Sequence, residues 1–355
     1  MEKIIHYMVE NKASDLHLSV GEVPHIRIVE KLVETPFDEL TPAGAKDLIY
    51  SLLNKEQVRK FDEEKELDLA FGLDDLGRFR ANIFKQRDKL GAAIRALPPR
   101  IMDFQECGLP GAMLEQLAMK PHGLILITGS TGSGKSTTLA AIIEHINQTR
   151  QCHIVTIEDP IEYVYENKKA IIDQREVGKD THNFAKALKH VFRQDPDVIL
   201  IGEMRDLETI SSALTIAETG HLVLATLHTS DGASTINRIL DVFPAHQQYQ
   251  ARLQLSCVLL AIFCQQLIPK ASGAERVLAA EIVIANHAVK NIIREANSHH
   301  IYSVIQTSYK EGMKTMNQSL LELCQKKFIT KDEALKRSYD PNELLALMKK
   351  NEVKS

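Results

Sequence analysis

The sequence predicts an α/β protein in which a small α+β domain precedes a nucleotide-binding domain with a mainly parallel sheet. Gly129–Thr137 fills every fixed position of the phosphate-binding motif G-x-x-x-x-G-K-[ST]. Gly123–Thr128, immediately before it, has the length and apolar composition of a buried parallel strand. After the motif, apolar residues recur at helical spacing from Leu139 to Ile146. Strand, glycine-rich loop and helix therefore follow one another in the order that the motif requires.

The residue types of this loop suit a nucleoside triphosphate with Mg²⁺. Glycines let successive backbone N–H groups turn towards a phosphate, and the helix N-terminus adds partial positive charge. Lys135 is expected to reach the β- and γ-phosphates, and the Ser136 hydroxyl is expected to bind Mg²⁺. The predicted ATP-binding residues of the loop are Ser130, Thr131, Gly132, Ser133, Gly134, Lys135, Ser136 and Thr137.

The composition limits the classes of protein to which the chain can belong. The net charge of −4 and the absence of tryptophan argue against a general nucleic-acid binder. The five cysteines form no C-x-x-C pair, so neither a zinc ribbon nor a redox motif is indicated. No stretch of about 18 uncharged apolar residues occurs, so no direct insertion into a membrane is expected. We interpret the chain as cytoplasmic, or bound to a membrane through a partner.

The first hundred residues have the pattern of a compact α+β domain. A short amphipathic helix is predicted around Ile4–Val9, followed by strands at Asp15–Ser19 and Ile26–Val29. Thr41 and Pro42 mark the start of a second helix, because threonine is a favoured N-cap and proline a favoured first residue. With 355 residues the chain has room for two domains.

Two consecutive prolines, Pro98 and Pro99, interrupt regular structure and give the best candidate for a linker. We therefore expect an N-terminal domain at 1–97, a linker at 98–107 and an ATPase domain with a C-terminal helical region at 108–355.

Four arginines lie close together on a predicted strand-loop-strand unit. Arg78 and Arg80 alternate with apolar residues and so share one face of a strand, Arg87 lies in the following loop, and Arg95 lies on the next strand. One interpretation is an exposed charged sheet face, which is common. The other is that these arginines reach the ATP of a neighbouring subunit, where a guanidinium group meets the charge that develops in the transition state.

Acidic residues follow the second strand of the ATPase domain. The strand-like segment His153–Ile157 is followed by three carboxylates within five residues, Glu158, Asp159 and Glu162. Carboxylates just past the C-terminal end of a parallel strand lie where α/β sheets bind ligands. They could hold Mg²⁺ through water or polarise the attacking water. The alternative is an acidic turn stabilised by Pro160.

A third buried strand, Val198–Ile201, ends in an unusual way. The position where the Walker B motif usually has a magnesium-binding aspartate is occupied by Gly202, and Glu203 follows. Glu203 is the leading candidate for orienting or deprotonating the attacking water. The alternative is that Glu203 forms a structural ion pair with Arg205 or another cation.

The fourth strand, His221–Thr229, has a histidine near each end. His228, at the C-terminal end, is expected to donate a hydrogen bond to the γ-phosphate, whereas His221 is interpreted as structural. Leu207–Glu218 before it has a helical pattern that ends at Gly220. Four βα units in a row predict a doubly wound, mainly parallel sheet. A GTPase is disfavoured because the guanine-specifying Asn-Lys-x-Asp motif is absent from the expected region.

These motifs together resemble the PilT-like twitching-motility ATPases, the type IV pilus retraction motors of the type II/IV secretion ATPase superfamily. The resemblance covers essentially the whole chain. In order, the segments that carry it are Ala13–Leu18, Gly129–Thr137, Thr156–Tyr163, Arg193–Asp206, Gly220–Thr229 and Ala288–Glu295. The last segment is similar to the family's A-I-R-N-L-I-R-E helix, with Lys290 in place of its first arginine. The family's Asp-Gly hairpin turn is missing at Ile28–Leu32, so we expect a different turn there.

The resemblance implies a homohexameric ring whose subunits have a PAS-like N-terminal domain and a RecA-like C-terminal domain. It implies that ATP and Mg²⁺ bind between the two domains and that the ring works on an inner-membrane platform protein of the type IV pilus machinery. The ring would lie at the cytoplasmic face of that membrane. The implied catalytic residues are Glu203, Glu162, His228, Arg80 and Arg95, and the implied further nucleotide-binding residues are Glu158, Arg78 and Arg87.

Three alternatives remain open. A pilus-extension or type II secretion ATPase is the nearest, but the N-terminal region is short and the four-cysteine zinc insert is missing. A DNA-translocating ATPase is disfavoured by the net charge and the few aromatic residues. The third is an accessory ring partner that binds ATP but turns it over weakly. The presence of Lys135, Glu162, Glu203 and His228 argues against it.

Overall fold

The structure, a computed structural model, describes residues 1–28, 31–73, 76–97, 100–273 and 275–352. The chain divides into two compact units, one of Met1–Arg100 with Pro160–Tyr163 and one of Ile101–Asp159 with Val164–Ser355. Pro98 and Pro99, at which the predicted linker begins, lie outside the described residues, as do Val29 and Glu30 of the predicted turn. The domain limits 1–97, 98–107 and 108–355 therefore stay predictions.

The first unit contains a six-stranded antiparallel sheet with the order β3-β2-β1-β6-β5-β4. Its helices pack on one face, because the apolar residues of the first two helices and of Phe61 join those of the strands in a single core. Thr41 caps the second helix as predicted, its side chain accepting a hydrogen bond from the Gly44 N–H. Its elements are α1 (Glu2–Glu10), β1 (Asp15–Ser19), β2 (His25–Ile28), β3 (Lys31–Glu34), α2 (Pro42–Tyr50), α3 (Lys55–Glu64), β4 (Glu66–Leu73), β5 (Gly77–Gln86) and β6 (Lys89–Ala96).

The second unit contains a seven-stranded sheet with the order β13-β12-β7-β11-β10-β8-β9. All neighbouring pairs are parallel except β12 and β13. Its strands are β7 (Gly123–Thr128), β8 (His153–Glu158), β9 (Ile171–Glu176), β10 (Val198–Ile201), β11 (Leu222–Leu227), β12 (Leu259–Pro269) and β13 (Arg276–Ile284). The predicted mainly parallel sheet is confirmed. The strand β7, which leads into the glycine-rich loop, lies between β11 and β12.

Helices follow most strands of the second unit. They are α4 (Gly111–Ala118), α5 (Lys135–Thr149), α6 (Phe184–Val191), α7 (Leu207–Glu218), α8 (Gly232–Asp241), α9 (Ala245–Val258), α10 (His287–Arg294), α11 (Ile301–Thr307), α12 (Met316–Gln325), α13 (Lys331–Arg337) and α14 (Pro341–Glu352), with short 3₁₀ turns at Ser298–His300 and Tyr309–Glu311. Within the described part of the chain, none of the helices combines the length and the apolar character that crossing a bilayer requires.

The central strands are buried on both faces, as expected for a parallel sheet covered by helices. Every residue of β7, β10 and β11 is buried, and their side chains join those of α6, α7, α8 and α9 in one core. The strand order places the C-terminal ends of β7, β8, β10 and β11 at the same edge of the sheet. That edge carries the loop and most of the second unit's predicted site residues.

Candidate nucleotide-binding site

The glycine-rich loop has the backbone that a phosphate cradle needs. Gly129, Gly132 and Gly134 have φ values of +140°, +78° and +93°, which glycine adopts readily and other residues do not. Gly134 is the N-cap of α5, and no side chain caps that helix. The first N–H groups of α5 can therefore point to an anion, with the partial positive charge of the helix N-terminus behind them.

A residue on the neighbouring strand holds the loop in this shape. A Cβ atom at Gly129 would lie 2.4 Å from the carbonyl oxygen of Gln265 and 2.5 Å from Ser133 Oγ, so only glycine fits. The Gln265 side chain is 1% exposed, and its Nε2 donates a hydrogen bond of 2.7 Å to Thr138 Oγ1 on α5. Gln265 therefore contacts both the start of the loop and the helix that follows. The sequence analysis did not identify Gln265, because nothing in the local pattern places β12 beside β7.

The polar groups of the loop fit a triphosphate. Lys135 Nζ donates hydrogen bonds to the carbonyl oxygens of Gly129 and Ser130 at 2.8 and 2.9 Å, which keeps the ammonium group at the loop. Ser133 Oγ is buried and has no hydrogen-bond partner among the residues that the structure describes, whereas Ser130 and Thr131 are exposed. A buried hydroxyl without a partner is costly unless a ligand pairs with it. This arrangement supports nucleotide binding at the loop.

A magnesium ion fits the same loop without a dedicated protein cage. No cluster of three or more histidine, cysteine, aspartate or glutamate side chains with metal-ligand geometry occurs among the described residues. In phosphate-binding loops Mg²⁺ takes one hydroxyl from the protein and completes its shell with phosphate oxygens and water. Ser136, in the first turn of α5, is the residue at the position of that hydroxyl.

Glu203 lies at the same edge of the sheet and is held by an arginine and a histidine. Arg205 Nε lies 2.7 Å from Glu203 Oε1, and Arg205 Nη2 donates to Oε2 at 2.7 Å. His228 Nε2 lies 3.3 Å from Glu203 Oε1. The structure thus brings together the two residues that the sequence proposed for water activation and phosphate sensing. It also contains the ion pair with Arg205 that was the alternative interpretation.

The backbone around Glu203 is tied to the strand that carries His228. Thr226 Oγ1 donates to the carbonyl oxygen of Gly202 at 2.5 Å, and the Met204 N–H donates to the Thr226 carbonyl at 3.1 Å. Thr226 belongs to β11 and is 5% exposed, so these hydrogen bonds lie largely away from solvent. They fix the segment that bears Glu203 against the end of β11.

The surroundings of Glu203 keep its carboxylate ionised at neutral pH. Burial by itself would raise the pKa of Glu203. Hydrogen bonding from Arg205 and the charges of His228, Arg205 and Lys135 outweigh it and lower the pKa below its ordinary value. An ionised carboxylate at this place can accept a hydrogen bond or a proton from water.

Glu158, the last residue of β8, lies beside this segment. Ile157 on β8 is in register with Ile201 on β10, so Glu158 is a neighbour of Gly202. Its Oε1 accepts hydrogen bonds from Thr156 Oγ1 at 2.6 Å and from Gln174 Nε2 at 3.3 Å.

The two histidines of the fourth strand lie just outside its ends. The strand β11 starts at Leu222 and ends at Leu227, so His221 precedes it and His228 follows it. His221 Nδ1 lies 3.0 Å from the carbonyl oxygen of Ile216, at the end of the sheet away from the loop. This placement suits the structural interpretation of His221.

The predicted arginines of the first unit lie on the strand face away from its core. Arg80 and Arg95 are direct neighbours across β5 and β6. Arg95 Nε forms an ion pair with Asp15 Oδ1 at 2.8 Å, and Arg80 Nη2 lies 3.9 Å from Asp68 Oδ1. The sequence analysis did not identify these two acidic partners, which lie on β1 and β4.

Two further predicted residues belong to the first unit and have different settings. Arg78 Nη2 donates at 3.3 Å to the carbonyl oxygen of Ile161, in the segment Pro160–Tyr163 that also contains the half-buried Glu162. Arg87 occupies the exposed turn after β5 with φ +49°, nine residues beyond Arg78, so the structure does not bring it together with Arg78, Arg80 and Arg95.

Comparison with known proteins places the chain among secretion and pilus ATPases. The family described as "Type II/IV secretion system protein" matches residues 1–277. The "Type IV pilus retractation ATPase PilT" of Pseudomonas aeruginosa is 44% identical over 339 residues, which covers 96% of this chain and 98% of that protein. The "Twitching motility protein" of Neisseria gonorrhoeae is 43% identical, over 90% of this chain and 86% of the relative.

A solved structure is similar over the same extent. The crystal structure of the pilus retraction motor PilT with bound ADP superposes with a TM-score of 0.88 and 48% sequence identity, covering 97% of this chain and 98% of the other. The ADP bound in that structure is consistent with a nucleotide site in this fold.

The contact between Gly129 and Gln265 predicts that Gly129→Ala weakens nucleotide binding. The added methyl group would meet the Gln265 carbonyl oxygen at 2.4 Å, and relieving such overpacking costs about 1–3 kcal/mol. We expect the dissociation constant for ADP to rise about tenfold, equivalent to about 1.4 kcal/mol. Titration with a fluorescent ADP analogue measures this change.

Gly178→Ala is the matched control, because Gly178 also has a positive φ but nothing within 4 Å of a Cβ atom. Its affinity is expected to stay within about twofold of the wild type. Equal affinities for the two variants would show that the Gln265 contact does not shape the loop.

Proposed function

We propose that this chain, which belongs to the family of type II/IV secretion system proteins, is an ATP-hydrolysing motor that drives retraction of type IV pili. The observation that carries the proposal is the convergence of three features at one sheet edge of the second unit. These are the phosphate-binding loop with Lys135, the ionised Glu203, and His228 in contact with Glu203. The curated relatives described as a pilus retraction ATPase and a twitching motility protein support the same function.

Each residue of this edge has a distinct part in hydrolysis. Lys135 and the N–H groups of the loop bind the phosphates, and Ser136 is the protein ligand for Mg²⁺. The ion, when bound, neutralises negative charge on the phosphate oxygens. Glu203 orients the attacking water and accepts its proton as the oxygen–phosphorus bond forms and the bond to ADP breaks. His228 donates a hydrogen bond to the γ-phosphate and so distinguishes ATP from ADP.

The remaining candidates act from the first unit or from the end of β8. Arg80 and Arg95 stabilise transition-state charge at the nucleotide of a neighbouring subunit, and Arg78, Arg87 and Glu158 contribute to nucleotide binding. Glu162 acts with Glu203 in polarising water. The shared strand face of Arg80 and Arg95 supports joint action of those two residues.

The assembly that follows from shared sites is a closed ring. We infer a homohexamer that works on an inner-membrane platform protein at the cytoplasmic face of the membrane. In it, ATP binding and hydrolysis move the two units of each subunit, and the movement removes pilins from the base of the pilus.

Glu203→Gln is expected to lower the hydrolysis rate at least about 100-fold, as the loss of a general base does, while nucleotide binding and assembly stay intact. The amide keeps the size of the side chain but cannot accept a proton. The measurements are phosphate release at saturating ATP and a nucleotide titration. Glu208→Gln, an exposed residue in the first turn of α7, is the control that should hydrolyse ATP normally. Near-normal turnover of Glu203→Gln would remove Glu203 from the mechanism.

Mixed rings test whether arginines act on a neighbouring subunit's ATP. Lys135→Ala subunits and Arg80→Ala subunits are each expected to be weakly active alone. A mixture forms some sites that have an intact Lys135 from one subunit and an intact Arg80 from the next, so its rate should exceed both. A mixture of Lys135→Ala with the double variant contains no intact Lys135 and should show no gain. If the first mixture is no more active than its components, the sites are not shared.

Deletion of the gene in its host separates retraction from the alternatives. Loss of twitching with excess surface pili is expected for a retraction motor, and wild type but not Glu203→Gln should restore movement. Cells without pili would instead indicate an extension motor, and normal twitching would indicate an accessory ring partner.

A further inference from the structure

Glu281 is a buried carboxylate that the proposed mechanism does not use. It lies on β13, is 2% exposed, and belongs to the part of the chain beyond residue 277, where the family match ends. Buried carboxylates are usually paired with a cation, since leaving the charge unpaired is costly. No cation within ion-pair distance of Glu281 is found among the described residues. Its partners are backbone N–H groups instead.

Those partners are the first residues of two helices. Glu281 Oε1 accepts a hydrogen bond of 2.8 Å from the Gly232 N–H, and the backbone N–H of Met316 also lowers the pKa of the carboxylate. Gly232 starts α8 and Met316 starts α12. The N-cap side chains Asp231 and Thr315 each accept a hydrogen bond from the backbone N–H of the third residue of their helix. The N–H of the first residue of each helix therefore needs a different acceptor, and the Glu281 carboxylate lies where it can serve as one. One carboxylate therefore serves two helix N-termini, where negative charge is favoured.

The first of these helices is continuous with the segment that bears His228. The segment 228–232 joins His228 directly to α8, and Thr229 Oγ1 hydrogen-bonds Thr235 Oγ1 at 2.7 Å. Gly232 approaches β13 so closely that a Cβ atom there would lie 2.6 Å from Val283 Cγ2. The position of Glu281 thus limits where His228 can lie.

The second helix belongs to the C-terminal helices α12–α14. Lys314, just before α12, exchanges two backbone hydrogen bonds with Ile282, at 2.8 and 3.1 Å. The α12 side chains Met316, Leu320 and Leu323 share a core with those of α13 and α14. A displacement of the Glu281 side chain would therefore move the C-terminal helices α12–α14 together.

We propose that Glu281 is a positioning residue that joins the His228 segment to α12 and so couples the state of the nucleotide to the C-terminal helices. This coupling rests on the proposed function of His228 as the residue that senses the γ-phosphate. The chemistry favours a carboxylate, because either of its oxygens can accept hydrogen bonds from N–H groups, whereas glutamine has one accepting oxygen and an NH₂ group that donates.

The surroundings make this link sensitive to pH. Burial raises the pKa of Glu281 from 4.5 to about 7; the N–H groups of Gly232 and Met316 oppose the rise, and Asp231 adds to it. Cys264 on β12 and Tyr302 on α11 are the other titratable groups that interact with it. Protonation places a hydrogen on one oxygen, so the link to both helices is complete only above about pH 7.

The raised pKa of Glu281 also makes the stability of the folded protein depend on pH. Since the pKa is raised in the folded state, the stabilisation from a neutral Glu281 is full below pH 4.5 and is lost as the pH rises through about 7. Glu281→Gln removes this dependence.

Amide hydrogen exchange with a non-hydrolysable ATP analogue, which carries a γ-phosphate, tests the coupling without relying on hydrolysis. In the wild type at pH 8, the analogue is expected to slow exchange both in 228–235 and at the start of α12, by at least about threefold at each place. In Glu281→Gln, the analogue should bind with a dissociation constant within about twofold of the wild type and slow exchange in 228–235 only. The kcat for ATP should fall about tenfold, and the rise of kcat with pH around 7 should disappear.

A second pair of variants isolates the interaction of Glu281 with the Met316 N–H. Met316→Ala and Met316→Pro both lose the buried side chain, but only proline lacks the N–H, and proline is well tolerated as the first residue of a helix. Met316→Pro should lose the response of α12 to the ATP analogue, and Met316→Ala should keep it.

The coupling is overturned if the ATP analogue does not change exchange in α12 of the wild type, if Glu281→Gln responds as the wild type does, or if the two Met316 variants behave alike. A wild type that binds the analogue and shows the α12 response but hydrolyses no ATP would contradict the proposed function and leave the coupling standing.

Discussion

The arrangement of the site depends on the close contact between the glycine-rich loop and β12. The Gln265 carbonyl occupies the space that a side chain at Gly129 would need, and the Gln265 side chain reaches Thr138 on α5. The loop is therefore confined between β7, α5 and β12, and its N–H groups are oriented before any phosphate arrives. A cradle that is already ordered has less entropy to lose on binding a ligand. The buried hydroxyl of Ser133 is consistent with a site that is completed by its ligand.

The parallel sheet turns distant parts of the sequence into neighbours. Because β7, β8, β10 and β11 run in the same direction, the residues that follow them meet at one edge. Two hydrogen bonds then fix the position of Glu203 at this edge: Thr226 Oγ1 donates to the Gly202 carbonyl, and the Met204 N–H donates to the Thr226 carbonyl. His228 approaches from the adjacent strand end. The geometry needed for water activation thus comes from backbone register, with side-chain pairs refining it.

Two glutamates of the second unit, the half-buried Glu203 and the buried Glu281, show how the surroundings decide the protonation state of a carboxylate. For both, burial is the largest influence and raises the pKa. At Glu203 the side chains of Arg205, His228 and Lys135 together outweigh burial, so the group is ionised and suits a catalytic base. At Glu281 only backbone N–H groups oppose burial, and the pKa stays near neutral. The environment of Glu203 suits proton transfer in catalysis. The environment of Glu281 suits a structural link whose strength changes when the carboxylate is protonated.

The sequence by itself determined the features that are encoded locally. The motif at Gly129–Thr137, the helix Leu207–Glu218 and the strand Val198–Ile201 were predicted with the bounds that the structure has, because spacing and apolar runs report them directly. The alternation of β5 also placed Arg78 and Arg80 on one face. Only the tertiary structure decided that β12 flanks the loop, that Arg87 lies apart from the other arginines, that Arg95 pairs with Asp15, and that Glu281 joins two helices. These depend on strand order and on contacts between residues far apart in the chain, which local periodicity does not encode.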